Sequence, residues 1–122
     1  MSENKRILVI DDEQDFCRMM VEMLTAAGYR VDSAEHPILA AEQALSGDYD
    51  LITLDLNLEE FNGKDVWDLY RDQNINIPVV VISGYLNNEA REDLKESGIE
   101  FTLEKPFRKA RLLEVVETAL AN

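Results

Sequence analysis

The sequence predicts an α/β domain, a doubly wound (βα)5 unit built on a five-stranded parallel sheet. Three observations carry this expectation. Short apolar runs alternate with helix-period patterns along the whole chain. The run 78–82 is almost purely β-branched and apolar, as suits a central parallel strand covered on both faces. The 122 residues fit one domain spanning 1–122, near the commonest domain size.

The first strand is expected over residues 6–10 and the first helix over 13–27, with Phe16, Met19, Met20, Met23 and Leu24 at helical spacing. Gly28 ends that helix as a C-terminal cap. The second strand takes 29–34 and the second helix 37–46, where Pro37 suits a first turn and Gly47 closes the element. The third strand is 50–55, and a third helix beginning near Gly63 turns Val66, Leu69 and Tyr70 inward. The fourth strand is 78–82. The fourth helix, 88–97, offers only Ala90 and Leu94 as clear core contacts. The fifth strand is 100–103, and the fifth helix, 108–120, has Leu112, Leu113, Val116, Ala119 and Leu120 as its apolar stripe.

Composition excludes several function classes. An apolar fraction of 46% is ordinary for a globular domain and argues against disorder. The single cysteine, Cys17, cannot form an internal disulfide and reads as a small hydrophobe. With 25 acids against 12 bases, the net charge of −13 opposes direct binding to nucleic acid or to an anionic membrane. No long apolar run follows the first residues, so a cytoplasmic location is expected. If residue 122 is the natural end, output would pass through a partner protein.

The chemistry sits at strand ends. Asp11 and Asp12 follow the first strand, Asp55 ends the third, Ser83 follows the fourth and Lys105 follows the fifth. In open parallel sheets, sites lie beyond the carboxyl ends of the strands, so all five residues belong to one edge. Helix capping is the alternative for Asp11 and Asp12, and a solvated lysine is the alternative for Lys105. Three carboxylates converging without compensation would repel one another, and a divalent cation together with Lys105 resolves that conflict. Neither G-x-G-x-x-G nor G-x-x-x-x-G-K-[ST] occurs, which argues against a nucleotide-binding fold.

Four motifs together resemble the response-regulator receiver domain over nearly the whole chain. They are Asp11-Asp12-Glu13, the Asp55 run with Gly63 eight residues later, Val80-Val81-Ile82-Ser83-Gly84, and Lys105-Pro106-Phe107. The resemblance implies a flavodoxin-like strand order of 2-1-3-4-5. It implies that Asp55 accepts a phosphoryl group from a histidine kinase or a phosphotransfer protein. Asp12 would bind Mg2+ directly, with Mn2+ as a substitute ion, and Asp11 would bind it through water. Asp55 and the Asn57 backbone carbonyl would complete the protein ligands. Lys105 and Ser83 would contact phosphoryl oxygens, and the Lys105–Pro106 peptide would be cis. Such a chain is not an enzyme beyond its own phosphorylation and dephosphorylation.

Some positions depart from the family pattern. Receivers usually place Tyr or Phe three residues before the lysine, where this chain has Thr102. Phe101 precedes it, so either the strand slips by one residue or the aromatic switch is absent, and absence is the expectation. Glu59 stands where the family commonly has Pro. Asn57 and Tyr85 occupy positions that influence acyl-phosphate lifetime in this family, and a surface aromatic is the alternative for Tyr85. Lys105, Arg108, Lys109 and Arg111 form a basic cluster, which reads either as a solvated helix start or as a patch for an acidic partner on the face of helix four, strand five and helix five. His36 reads as a surface residue. Two other functions compete: an interaction module independent of phosphorylation, and an aspartyl-nucleophile phosphatase. The second typically wants an acid two residues after the nucleophile, where Asn57 stands.

Overall fold

A computed structural model of the chain describes residues 5–55, 63–73, 75–84 and 88–121. The elements are β1 (Arg6–Ile10), α1 (Gln14–Ala26), β2 (Arg30–Ala34), α2 (Pro37–Ser46), β3 (Leu51–Asp55), α3 (Gly63–Asp72), β4 (Val79–Ser83), α4 (Asn88–Glu96), β5 (Phe101–Glu104) and α5 (Lys109–Ala121). All strands pair in parallel, in the order β2-β1-β3-β4-β5. The expected architecture and strand order both hold, with element ends shifted by one residue in several places. Ser83 belongs to β4 rather than following it.

Strand parity sorts the core into two layers, because successive side chains leave a strand on opposite faces. Leu8, Ile10, Ile52, Leu54, Val79 and Val81 pack on one face with Tyr70 of α3 and Leu94 of α4. Ile7, Val9, Leu51, Val80, Ile82 and Leu103 pack on the other with residues of α1 and α5. All five residues of β3 and of β4 are buried, whereas the outermost strands β2 and β5 are largely not.

Two helices end alike. At α1, Gly28 has φ 103°, its N–H donates to Thr25 O, and the next N–H, of Tyr29, donates to Leu24 O. At α4, Gly98 has φ 95°, with matching bonds to Lys95 O and from Ile99 to Leu94 O. Both are Schellman closures, in which a left-handed residue favours glycine and the flanking apolar pair is buried. Gly47 closes α2 for another reason. Its φ of −101° suits any residue, but a Cβ there would meet the Tyr49 ring at 2.5 Å.

Three expectations about helix faces change. Met19 is 41% exposed, and Cys17, one helical turn before the buried Met20, takes its place in the core of α1. Val115 joins the buried stripe of α5. The N-cap of α1 is Glu13 rather than Asp11 or Asp12, and it makes no side-chain capping bond. The side chains of Val66, Trp67 and Ala90 lie outside the described residues.

At the amino ends of the strands a polar cluster ties four elements together. Arg6 Nη2 lies 3.1 Å from Asp32 Oδ2, and its guanidinium stacks 4.7 Å from the centroid of the Tyr49 ring. Tyr49 donates its hydroxyl to Asp32 Oδ2 at 2.6 Å and accepts from Gln43 at 3.0 Å. The Arg6 backbone N–H donates to Asp50 Oδ2 at 2.8 Å.

Candidate functional site

Asp11, the first residue past β1, stays in the sheet ladder by donating its backbone N–H to Ala34 O at 3.1 Å. It is 1% exposed, and Asp55 at the end of β3 is 4% exposed. Lys105 reaches both carboxylates. Its ammonium donates to Asp55 Oδ2 at 2.8 Å and lies 3.8 Å from Asp11 Oδ2. Parity explains the meeting, since Asp11, Asp55 and Lys105 continue the alternation of the residues that face α1 and α5. Ser83, buried at the end of β4, continues the opposite alternation; its carbonyl accepts the Lys105 N–H at 2.7 Å. The Lys105–Pro106 peptide is cis, as expected.

The charge here is incompletely compensated. Asp11 Oδ1 accepts the Glu13 N–H at 2.8 Å, but buried Asp11 Oδ2 finds no hydrogen-bond partner among the described residues. Burial above all, then neighbouring Asp55, pushes the Asp11 carboxyl up to about 7, against the opposing pull of the Glu13 amide and Lys105. One ammonium serves two buried carboxylates. A buried, hard oxygen that accepts no hydrogen bond among the described residues, beside a second carboxylate, suits Mg2+, which typically takes one or two carboxylates and keeps waters and phosphate oxygens. The residues therefore fit that ion.

Of the three expected acids, Asp11 and Asp55 meet on Lys105. Among the described residues, no three Asp, Glu, His or Cys side chains form a group able to hold a metal. Asp12 is half-buried in the bend between β1 and α1. Two acids and one lysine make the described centre. Asn57, Glu59 and Tyr85 lie outside the described residues.

Residue 102 settles the question of register. Thr102 pairs with Val81 and Glu104 with Ser83, so β5 does not slip. Phe101 packs with the α1 and α5 layer, and half-buried Thr102 continues toward the opposite layer. The basic cluster also divides. Lys105 turns into the acid pair, whereas Arg111 pairs with Glu114 along α5. Arg91 of α4 approaches Glu104 at 4.0 Å.

Phe16 is a residue whose role the apolar stripe of α1 concealed. Lys105 Nζ sits 4.0 Å from the centroid of its ring, and Phe107 packs against that ring edge to face at 6.0 Å and 85°. Helical spacing assigned Phe16 to the core, which is half true, and only three-dimensional proximity reveals the ammonium. Cys17 donates its thiol to Asp11 O at 3.2 Å, and burial, with the Asp11 charge next, pushes it up to about 11. It is an inert hydrophobe, as its position in the helix implied. His36 is exposed at the start of α2.

An open parallel sheet in this order, with its charged side chains gathered at the carboxyl ends, defines the flavodoxin-like doubly wound class. Within that class, the chain belongs to the response regulator receiver domain family, whose model matches residues 7–117. It is 35% identical over 115 residues to the transcriptional regulatory protein CusR of Escherichia coli, covering 94% of this chain and 51% of that one. To the cell cycle transcriptional regulator CtrA of Caulobacter vibrioides it is 30% identical, covering 88% and 47%. The chain thus spans about half the length of these two curated relatives. Among solved structures, the chemotaxis protein CheY4 of Vibrio cholerae superposes with a TM-score of 0.87 at 25% identity, covering 94% of this chain and 98% of that one. The response regulator TrrA of Thermotoga maritima, solved in complex with Mg2+-BeF, gives a TM-score of 0.83 at 30% identity over 94% and 98%. The chain is a receiver domain of two-component signalling. Among the described residues, no helix is long and apolar enough to cross a membrane.

Proposed function

We propose that the chain accepts a phosphoryl group onto Asp55 from a phosphohistidine of a histidine kinase or a phosphotransfer protein, and signals through protein contacts that depend on it. The single observation behind this reading is the Lys105 ammonium 2.8 Å from Asp55 Oδ2, beside an Asp11 oxygen that accepts no hydrogen bond among the described residues. In the reaction an Asp55 oxygen bonds to phosphorus as the donor's P–N bond breaks, and the leaving imidazole nitrogen keeps the electron pair. Transfer of this kind asks the protein for positioning and charge compensation. Lys105 supplies a cation already in place. Mg2+ held by Asp11, Asp12, Asp55 and the Asn57 carbonyl would neutralise charge on the phosphoryl oxygens, in keeping with the Mg2+-BeF complex of TrrA. Ser83, on the strand adjoining β3, would donate its hydroxyl to the new phosphate.

The downstream partner is proposed to dock on the face of α4, β5 and α5. That face carries a cleft of about 480 Å³ lined in part by Arg91, Arg108 and Arg111 and by Glu104 and Glu114. Arg91 and Arg111 pair with the two glutamates, leaving one more cation than anion for an acidic protein surface. With Thr102 in this position and Phe101 packed on the other layer, the readout does not depend on an aromatic swinging inward. The relatives named as transcriptional regulators are about twice as long as this chain, and its net charge of −13 opposes direct contact with DNA.

Intact-mass measurement with phosphoramidate and Mg2+ tests the reading. Wild type is expected to gain one phosphate, and Asp55→Asn none. Equal gain in both proteins would move the acceptor elsewhere. No gain in either would favour an interaction module independent of phosphate, and sustained release of phosphate from simple esters would favour the phosphatase.

A further inference from the structure

We propose that Phe16 is a positioning residue for phosphoryl transfer, its ring holding the Lys105 ammonium over the acid pair. This inference deepens the assignment of Asp55 as phosphoacceptor and rests on it. Among the described residues, three partners surround the ammonium: Asp55 Oδ2 at 2.8 Å, Asp11 Oδ2 at 3.8 Å and the Phe16 centroid at 4.0 Å. The first two change when the site reacts. An Asp55 oxygen becomes bonded to phosphorus, and Asp11 belongs to the proposed cation site. The ring is the partner that the chemistry leaves intact.

A π face also suits a group that must move. Its attraction for a cation comes from the ring quadrupole and lacks the directionality of a hydrogen bond. The ammonium can therefore slide from Asp55 toward an incoming phosphoryl oxygen without losing this contact. The lysine side chain is 24% exposed, so water competes for it and an anchoring surface matters.

The ring is itself well placed for this. Phe16 lies in the first turn of α1, directly after the loop that carries Asp11. Phe107, two residues beyond Lys105, packs perpendicular to it. One aromatic pair thus couples the acid-bearing loop after β1 to the lysine-bearing loop after β5. Parity brings both loops to the α1 and α5 layer, where the pair closes the side of the site.

The test replaces Phe16 in the full chain with phenylalanines carrying one, two and three ring fluorines, which preserve shape while withdrawing π density. Phosphorylation by phosphoramidate is followed at saturating Mg2+. The rate is expected to fall stepwise with each fluorine, by roughly 3- to 10-fold across the series, as a partly exposed cation–π contact implies. In a Lys105→Ala background the same series is expected to be flat. Two outcomes would overturn the role of Phe16: a flat series with Lys105 present, or an equal decline without it, which would indicate packing alone. Lack of any phosphate on the wild-type chain would instead overturn the acceptor assignment and this role with it. A second readout needs no phosphorylation. The Lys105 ε-protons should show an upfield ring-current shift that Phe16→Leu removes, and absence of that shift would refute the placement directly.

Discussion

At the amino ends of the strands, the Arg6 guanidinium meets Asp32 and the face of an aromatic ring, Tyr49, and the Arg6 backbone N–H reaches a second acid, Asp50. At the carboxyl ends, Lys105 also meets two acids, Asp11 and Asp55, and the face of an aromatic ring, Phe16. The parts are alike, yet the electrostatics are opposite. In the Arg6 cluster, Asp32 is 48% exposed at its side chain and receives donors from both Tyr49 and Arg6, and these bonds, Tyr49's first, hold its carboxyl below the ordinary range. In the Lys105 cluster, Asp11 is buried with one oxygen lacking a hydrogen bond among the described residues, and its carboxyl is pushed up to about 7. Burial and the number of donors separate the two, and charge alone does not. A satisfied cluster locks strands together, whereas an under-satisfied one is ready to receive a cation and a phosphate.

The largest effect expected from breaking this contrast is on rate. Lys105→Ala removes the resident cation from the buried acid pair and should slow phosphorylation by about 100-fold or more, the scale on which single charge-stabilising donors act. Arg6→Ala, at the other end of the sheet, should leave the rate per folded molecule unchanged. A stopped-flow or quench series with phosphoramidate measures both. Comparable losses in the two variants would mean that the clusters are not functionally distinct.

The next effect is on stability and carries a definite sign. In metal-free protein, Asp11 keeps its proton to about pH 7, whereas in the unfolded chain it ionises near 3.8. Between those values the folded state binds the additional proton, so stability falls as pH rises from about 4 to about 7 and then levels off. The full loss is on the order of a few kcal/mol. Asp11→Asn should abolish this slope and raise the melting temperature at pH 8 in EDTA, while impairing phosphorylation. Mg2+ should stabilise wild type more at pH 8 than at pH 5, because at the lower pH it must displace that proton. A melting temperature independent of pH from 4 to 7 in EDTA would refute the account of Asp11.

Much of this contrast was legible in the sequence, though unevenly. Val79, Val80, Val81 and Ile82 read directly as a buried strand, because the parallel sheet needs apolar residues on both faces. Acids and a lysine at strand ends pointed to one edge, which the structure bears out for Asp11, Asp55 and Lys105. The inequality between Asp11 and Asp12 was not legible. Adjacent acids look alike in sequence, while the ladder bond to Ala34 and burial single out Asp11. Met19 fell outside the buried stripe because a helical pattern fixes the period of burial more firmly than its phase. The two aromatic contacts were invisible. Phe16 and Tyr49 lie far along the chain from Lys105 and Arg6, and no spacing rule connects them.

The smallest effect sharpens the comparison most, because it reverses sign. Asp32 has a lowered carboxyl in the fold, so its contribution is present above about 3.8 and is lost as pH falls through the lower folded value. Its exposure keeps that contribution small, since solvent screens a half-exposed pair. Tyr49→Phe removes the hydroxyl that Asp32 accepts at 2.6 Å and should cost about 1 kcal/mol at pH 7, with less loss toward pH 3. The two clusters therefore pull in opposite directions: acid weakens the Arg6 end, and neutral pH weakens the metal-free Lys105 end. As far as these two groups decide it, metal-free protein should be most stable between those limbs, near pH 4, and Mg2+ should move the optimum upward by relieving only the neutral limb. Chemical denaturation at several pH values, with EDTA or Mg2+, reads both limbs at once. If Tyr49→Phe altered the neutral limb, or Mg2+ the acid one, the clusters would be coupled through the sheet and could no longer be treated as separate.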